Sequence, residues 1–282
     1  MSAQAQPEVA VPAAARYGYA PVWDTGTDSL LWVDVPARTV HRMTVDHVNH
    51  SMEAPQAVSS ARPRSRGGLV LHLAEGVALF DADGEHRVWL VYWARDGVRG
   101  GATAIDRKGR LWASTVREDE SGDGWLARIT DDGAATIALD GLAAAGGVGW
   151  SPDDARMYFA DSATGRVDVL DFDVAAGTAV GRRPLCEVGG EPAGLCVDAD
   201  GCVWVAVRDA AQIRRYTPEG ELDRSVELPV RRPTDCCFGG SDLTDLYVTS
   251  ARDGVSDPGD TDGAVLVVPG IGTGLRTPAF TG

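Results

Sequence analysis

A short motif recurs along this chain, and its spacing constrains the fold more than any other feature. Each copy runs from a small or polar start into an apolar strand, a tight turn and a second apolar strand. The clear copies are Tyr19-Ala-Pro-Val-Trp-Asp24, Gly101-Ala-Thr-Ala-Ile-Asp106, Gly146-Gly-Val-Gly-Trp-Ser151, Ala193-Gly-Leu-Cys-Val-Asp198 and Thr234-Asp-Cys-Cys-Phe-Gly239. A fainter copy is Gly67-Gly-Leu-Val-Leu-His72. The starts at 19, 67, 101, 146, 193 and 234 lie 34 to 48 residues apart. Repeats of that length holding several strands each are blades of a β-propeller. The chain therefore reads as all-β, a six-bladed β-propeller whose six starts face the central axis.

The connecting segments agree. Turns such as Asp106-Arg-Lys-Gly-Arg110, Ser151-Pro-Asp-Asp154 and Asp198-Ala-Asp-Gly201 supply the Gly, Pro and Asp that tight turns need. The second strands, for example Leu30-Leu-Trp-Val-Asp34 and Val203-Trp-Val-Ala-Val207, are aromatic and β-branched, as pleated half-buried surfaces favour. The repeat runs to the C-terminus without a linker, which gives one domain over 16–282 after a flexible tail over 1–15. Part of that tail is expected to add a strand to the last blade and close the ring. Antiparallel alternation puts the loops 116–124 and 251–263 on the same face as the starts.

Charge and composition narrow the partners. A formal net charge of −15 argues against nucleic acid and against an anionic membrane surface. Lys108 is the only lysine and sits in a turn, which removes Schiff-base chemistry in a pocket. The five cysteines are odd in number and match no zinc spacing, so buried reduced thiols and a cytoplasmic location are expected. Residues 1–15 lack the pattern of a signal peptide, and no apolar run reaches the length of a membrane span. His47 and His50 lie near a turn without helical periodicity and read as solvated. The expected partner is a small molecule; oligomeric state is not encoded in these features.

The motifs also resemble the SMP-30/regucalcin/gluconolactonase family. The resemblance rests on Pro21-Val-Trp-Asp24, Leu30-Leu-Trp-Val-Asp34, Asp106-Arg-Lys-Gly-Arg-Leu-Trp-Ala-Ser-Thr115, Gly149-Trp-Ser-Pro-Asp153, Tyr158-Phe-Ala-Asp-Ser162 and Pro233-Thr-Asp-Cys-Cys-Phe-Gly-Gly240. It covers nearly the whole chain in order and implies a six-bladed propeller. Lactonase members of the family hold one divalent cation on the axis through a Glu, two Asn and an Asp. At the matching positions this chain has Tyr19, Gly101, Gly146 and Ala193. Hard cations need several oxygen ligands, and Gly and Ala side chains supply none. The resemblance, read through these replacements, implies no metal at the axial site and no cofactor, and the loss of the family's catalytic carboxylate.

Five residues near the starts keep functional groups. Asp235 and Tyr19 are the candidate catalytic residues, Asp235 because desolvation beside the axis would raise its pKa into the acid–base range. Arg99 matches the family's substrate-binding Arg, and Thr234 and Arg66 stand beside it as candidate substrate-binding residues. Removing side chains at four starts is expected to widen the axial cavity. The first reading is a metal-independent family member that acts on a small cyclic or carbonyl-bearing metabolite by hydrolysis or cyclisation. The alternatives are a non-catalytic protein that binds or sequesters a small molecule, and a conventional metal-dependent lactonase.

Overall fold

A computed structural model describes residues 6–282, apart from 83, 85, 86, 94, 118, 120, 121 and 209. Its 24 strands form six antiparallel four-stranded sheets, the blades of a six-bladed β-propeller. Blade one comprises β2 (Gly18–Asp24), β3 (Ser29–Asp34), β4 (Thr39–Thr44) and β5 (Asn49–Glu53). Blade two comprises β6 (Val58–Pro63), β7 (Leu69–Leu73), β8 (Gly76–Phe80) and β9 (Arg87–Tyr92). Blade three comprises β10 (Val98–Ile105), β11 (Leu111–Arg117), β12 (Gly124–Ile129) and β13 (Ala135–Leu142). Blade four comprises β14 (Ala145–Trp150), β15 (Arg156–Asp161), β16 (Arg166–Asp173) and β17 (Thr178–Glu187). Blade five comprises β18 (Glu191–Val197), β19 (Val203–Arg208), β20 (Gln212–Tyr216) and β21 (Leu222–Glu227). Blade six holds β22 (Pro233–Gly239), β23 (Asp245–Ser250) and β24 (Val265–Val268). Its fourth strand is β1 (Glu8–Val11), which pairs with β24 and closes the ring. The segment set apart as a tail thus contributes residues 8–11 to the last blade.

One start is corrected. Gly67 and Gly68 lie in the turn between β6 and β7, and the second inner strand is β6. The true start lies near Ser59, so the six starts at 19, 59, 101, 146, 193 and 234 fall 40 to 47 residues apart. The motif Leu69-Val-Leu belongs to the second strand, whose apolar run resembles an inner strand.

Each inner strand carries a register shift just past its start. The shifts fall at Tyr19/Val22, Val58/Ser60, Gly100/Thr103, Ala145/Gly147, Pro192/Leu195 and Pro233/Asp235. Bulges re-aim side chains and bend a strand. Six of them around one ring turn the following residues toward the axis.

A repeated device fixes the first turns. Asp106 accepts from the Lys108 and Arg110 amides and from Trp112 Nε1 at 2.9 Å. Asp198 does the same for the Asp200 and Cys202 amides and for Trp204 Nε1 at 2.9 Å. Both tryptophans are fully buried between blades, so each indole has the polar partner that burial demands.

The last residues cross the face that carries these turns. The Gly274 amide donates to Leu243 O and the Phe280 amide to Pro63 O, 2.9 Å. Phe280 is fully buried against Val70, Ile105 and Leu111. Between the two anchors, residues 275–279 make no hydrogen bond to the described residues and lie as a strap over the centre of the ring. No described helix is long and apolar enough to cross a membrane.

Candidate functional site

Two cavities lie along the axis, and Tyr19 lines the smaller one. Its hydroxyl, carried by the first blade, donates to the carbonyl oxygen of Gly146 on the fourth blade at 2.5 Å. Tyr19 is buried, and burial raises its pKa well above the usual phenol value, with the negative charge of Asp235 adding to the effect. The phenol therefore stays protonated and holds its bond. The starts around it close in because they lack side chains. A Cβ at Gly146 would overlap the carbonyl of Ala193, so only glycine permits this approach of the two strands. At the start face this approach leaves little room. The cavity there measures about 60 Å³, since strand closure and the Tyr19 ring consume the space that the missing side chains leave.

A larger cavity of about 380 Å³ meets the small one at Gly146 and runs to the turn face. Its walls are mainly apolar, with Val148, Trp150, Leu195 and Phe238 among them, and Leu275 to Pro278 of the strap form its cover. At its mouth Arg107 Nε pairs with Asp154 Oδ2 at 2.7 Å.

Two charged side chains lie inside this cavity. Asp235 follows the bulge of β22 and is buried. Its Oδ1 accepts from the Cys236 amide at 2.8 Å, and a Cβ at Gly194 would overlap its carboxylate, so the neighbouring blade must carry glycine there. Burial pushes the Asp235 pKa up to about 7, against the opposing pull of the Cys236 amide, the Arg62 charge and the Ala20 amide. Arg62, on β6, is also buried. It donates from Nη1 to Ala20 O at 2.8 Å and from Nη2 to Thr103 O at 2.7 Å, tying blade two to blades one and three. Burial lowers its pKa, and the nearby Asp235 charge opposes the shift. Ala20, whose carbonyl accepts from Arg62, has φ 52°. A left-handed alanine costs about 1–2 kcal/mol, and strain of this kind gathers where surrounding structure holds a functional group in place.

The five sequence candidates are therefore not one constellation. Asp235 lies in the larger cavity, and Tyr19 lines the smaller one and bonds Gly146. Arg99 lines the small start-face cavity with Tyr17, Ser59 and Arg208. It is exposed, and its side chain makes no ion pair or hydrogen bond to the described residues. Thr234 faces neither cavity: its fully buried hydroxyl donates to Gly18 O at 2.5 Å and meets Thr249 Oγ1 at 2.9 Å. That bond joins blade six to blade one, so Thr234 is a ring-closing residue that lines neither cavity. Arg66 is exposed in the β6–β7 turn, away from the starts, because the second start lies near Ser59, eight residues before Gly67. Arg62 is the group that sequence reasoning missed, and the same displaced start hid it. His47 and His50 are exposed as expected. The 251–263 loop folds back through Asp262, which accepts from the Arg231 and Gly259 amides. Residues 118, 120 and 121 of the other loop lie outside the described residues.

The axial positions do not suit a divalent cation. Tyr19 offers the only side-chain oxygen among Tyr19, Gly101, Gly146 and Ala193, and it is engaged with Gly146. The described residues contain no cluster of three His, Cys, Asp or Glu able to hold a metal ion.

Comparison with known proteins agrees with this architecture. The family model for the SMP-30/Gluconolactonase/LRE-like region matches residues 17–252. Regucalcin of Macaca fascicularis is 31% identical over 295 residues, covering 98% of each chain. Regucalcin of Sus scrofa is 32% identical over 285 residues, covering 94% of this chain and 95% of its own. A luciferin-regenerating enzyme superposes with a TM-score of 0.92 at 26% identity, over 98% of this chain and 99% of that one. A regucalcin from Agrobacterium tumefaciens, at 21% identity and a TM-score of 0.92 over 98% and 97% of the two chains, shares the fold. With a family match across most of the ring and relatives above 30% identity along nearly its full length, the chain belongs to the SMP-30/gluconolactonase/LRE-like family.

Proposed function

We propose that this protein is a metal-independent member of its family that acts on a small, largely apolar cyclic or carbonyl-bearing metabolite. The reaction takes place in the turn-face axial cavity, by hydrolysis or cyclisation. The observation that carries this reading is Asp235, a buried carboxyl with a pKa of about 7 in an apolar cavity of about 380 Å³. A group titrating near neutrality can both give and accept a proton, which is the requirement for general acid–base catalysis. The charge of Arg62 stabilises negative charge developing on a carbonyl oxygen, and the dry surroundings strengthen that effect. Family membership supports lactonase-type chemistry on ring esters, while Tyr19 and the Gly and Ala starts support a route without the family's cation. Cytoplasmic location remains part of this proposal.

A second reading, sequestration without turnover, is favoured by the strap over the cavity mouth. The test separates them. Chelator-treated protein is assayed against a panel of lactones and other cyclic carbonyl compounds, with Asp235→Asn alongside. The proposal expects turnover that survives chelation and falls roughly 100-fold or more in Asp235→Asn. Ligand binding without turnover in both proteins selects sequestration. Turnover that chelation abolishes and a divalent ion restores overturns the metal-free route.

A further inference from the structure

All five cysteines are free thiols, and two of them face each other. Cys196 on β18 and Cys236 on β22 meet across the seam of blades five and six, Sγ to Sγ 3.5 Å. Both line the larger cavity. Cys236 is buried, while Cys196 is only partly so. Cys237, next in sequence, also lines the cavity, but it packs in the separate cluster of Trp23 and Tyr247. Cys186 belongs to a different core cluster, and Cys202 lies at the far end of blade five by the Asp198 turn. The same seam carries the close packing of Asp235 on Gly194, so two successive rungs between β18 and β22 hold reactive groups.

We infer that Cys196 and Cys236 form a reversible dithiol site, oxidised to a disulfide by a small hydroperoxide that enters the cavity. A disulfide requires about 2.05 Å between sulfurs. The sulfurs already touch, and rotation about the two χ1 bonds with a small strand shift covers the remaining gap. Cys196 is the sulfur that is reached first. Its sulfur attacks one peroxide oxygen, the O–O bond breaks, and a sulfenic acid forms with release of an alcohol or water. The Cys236 sulfur then attacks the sulfenic sulfur and expels hydroxide, which leaves as water with the thiol proton. In sum the two thiols give up two electrons and two protons, and the hydroperoxide takes them. An external thiol reverses the step by exchange. Burial, with Cys236 beside it, holds the Cys196 pKa well above the usual thiol value. The thiolate fraction is therefore small, and proximity of the second sulfur decides the product. The disulfide would pin β18 to β22 beside Asp235 and narrow the cavity. This site does not depend on Asp235 acting as an acid or base.

The experiment treats the full-length protein with hydrogen peroxide, alkylates the remaining thiols under denaturing conditions, and maps peptides by mass. The expected result is a loss of about 2 Da, two hydrogens, before alkylation. Three of the five thiols then remain alkylatable, one cross-link joins the Cys196 and Cys236 peptides, and dithiothreitol restores all five. Cys196→Ser and Cys236→Ser should gain oxygen in place of losing hydrogen, and Cys237→Ser should still form the link. Five alkylatable thiols after treatment, a link through Cys237, or oxygen addition alone in the unmodified sequence would overturn the inference. The mapping of the unsubstituted protein decides the matter even if a serine variant folds poorly.

Discussion

The Tyr19 hydroxyl reaches the Gly146 carbonyl oxygen across the propeller axis, at 2.5 Å and 127 residues away in sequence. This bond joins the first and fourth blades at the centre of the ring, where two unequal cavities meet. Gly146 lines both of them, and Tyr19 lines the smaller.

Tyr19→Phe should remove the bond and leave the Gly146 carbonyl without this donor. The expected cost is about 1–2 kcal/mol of unfolding free energy, measured by urea titration. Tyr19→Ala should cost more, about 3–5 kcal/mol, because it also strips the packing of a buried ring from the axis. Equal stabilities for all three proteins would contradict the role of Tyr19 in joining the first and fourth blades.

Asp235 gives stability a pH signature. Its folded pKa of about 7 lies above an unfolded value of about 3.9. The fold thus prefers the protonated form, and the contribution is fully present below about pH 4. It is lost as pH rises toward 7 and stays lost above that. Asparagine at 235 is neutral throughout. The stability of the unsubstituted protein relative to Asp235→Asn should therefore fall by an amount on the order of 2–4 kcal/mol between pH 4 and pH 8. Chemical denaturation across that range reads the difference, and a flat difference would show that Asp235 titrates normally.

Arg62→Met should destabilise the ring and alter the acid. It leaves Ala20 O and Thr103 O without their guanidinium donors, and removing one member of a buried charged network costs about 3–5 kcal/mol. It also removes the positive charge that holds Asp235 down. Carbon-13 NMR of the carboxyl should then find Asp235 titrating above its present midpoint. An unchanged midpoint would mean that Arg62 does not act on Asp235.

The strap should be visible by amide hydrogen exchange. The Phe280 amide, bonded to Pro63 O, should be protected, whereas those of Leu275, Arg276, Thr277 and Ala279 have no acceptor among the described residues and should exchange within seconds. Slow exchange across 275–279 would mean that the cavity cover is held by contacts of another kind.

Much of this architecture is legible in the sequence. The Asp turns followed by Trp112 and Trp204 announce the blades because one local spacing sets both the turn and the buried indole bond. The second inner strand is not legible, since Val58-Ser-Ser-Ala-Arg62 carries hydroxyls and a charge where its counterparts are apolar or small. Two turn glycines before Leu69 imitate a start instead. That slip hid Arg62 and promoted Arg66. Asp235 is readable because its motif places it one residue past a start. Thr234 is misread for the opposite reason: the bulge beside it turns its hydroxyl into the blade seam. No local pattern encodes the Tyr19–Gly146 bond, which exists only once the first and fourth blades face each other.

The most direct test of the closed axis is metal stoichiometry. Protein equilibrated with calcium, zinc, magnesium and manganese, then passed through gel filtration, is analysed by mass spectrometry of its elements. The bond between Tyr19 and Gly146 and the bare Gly and Ala positions predict far less than one divalent ion per chain. One tightly held ion per chain, released when Tyr19 or a neighbouring start is substituted, would contradict the account.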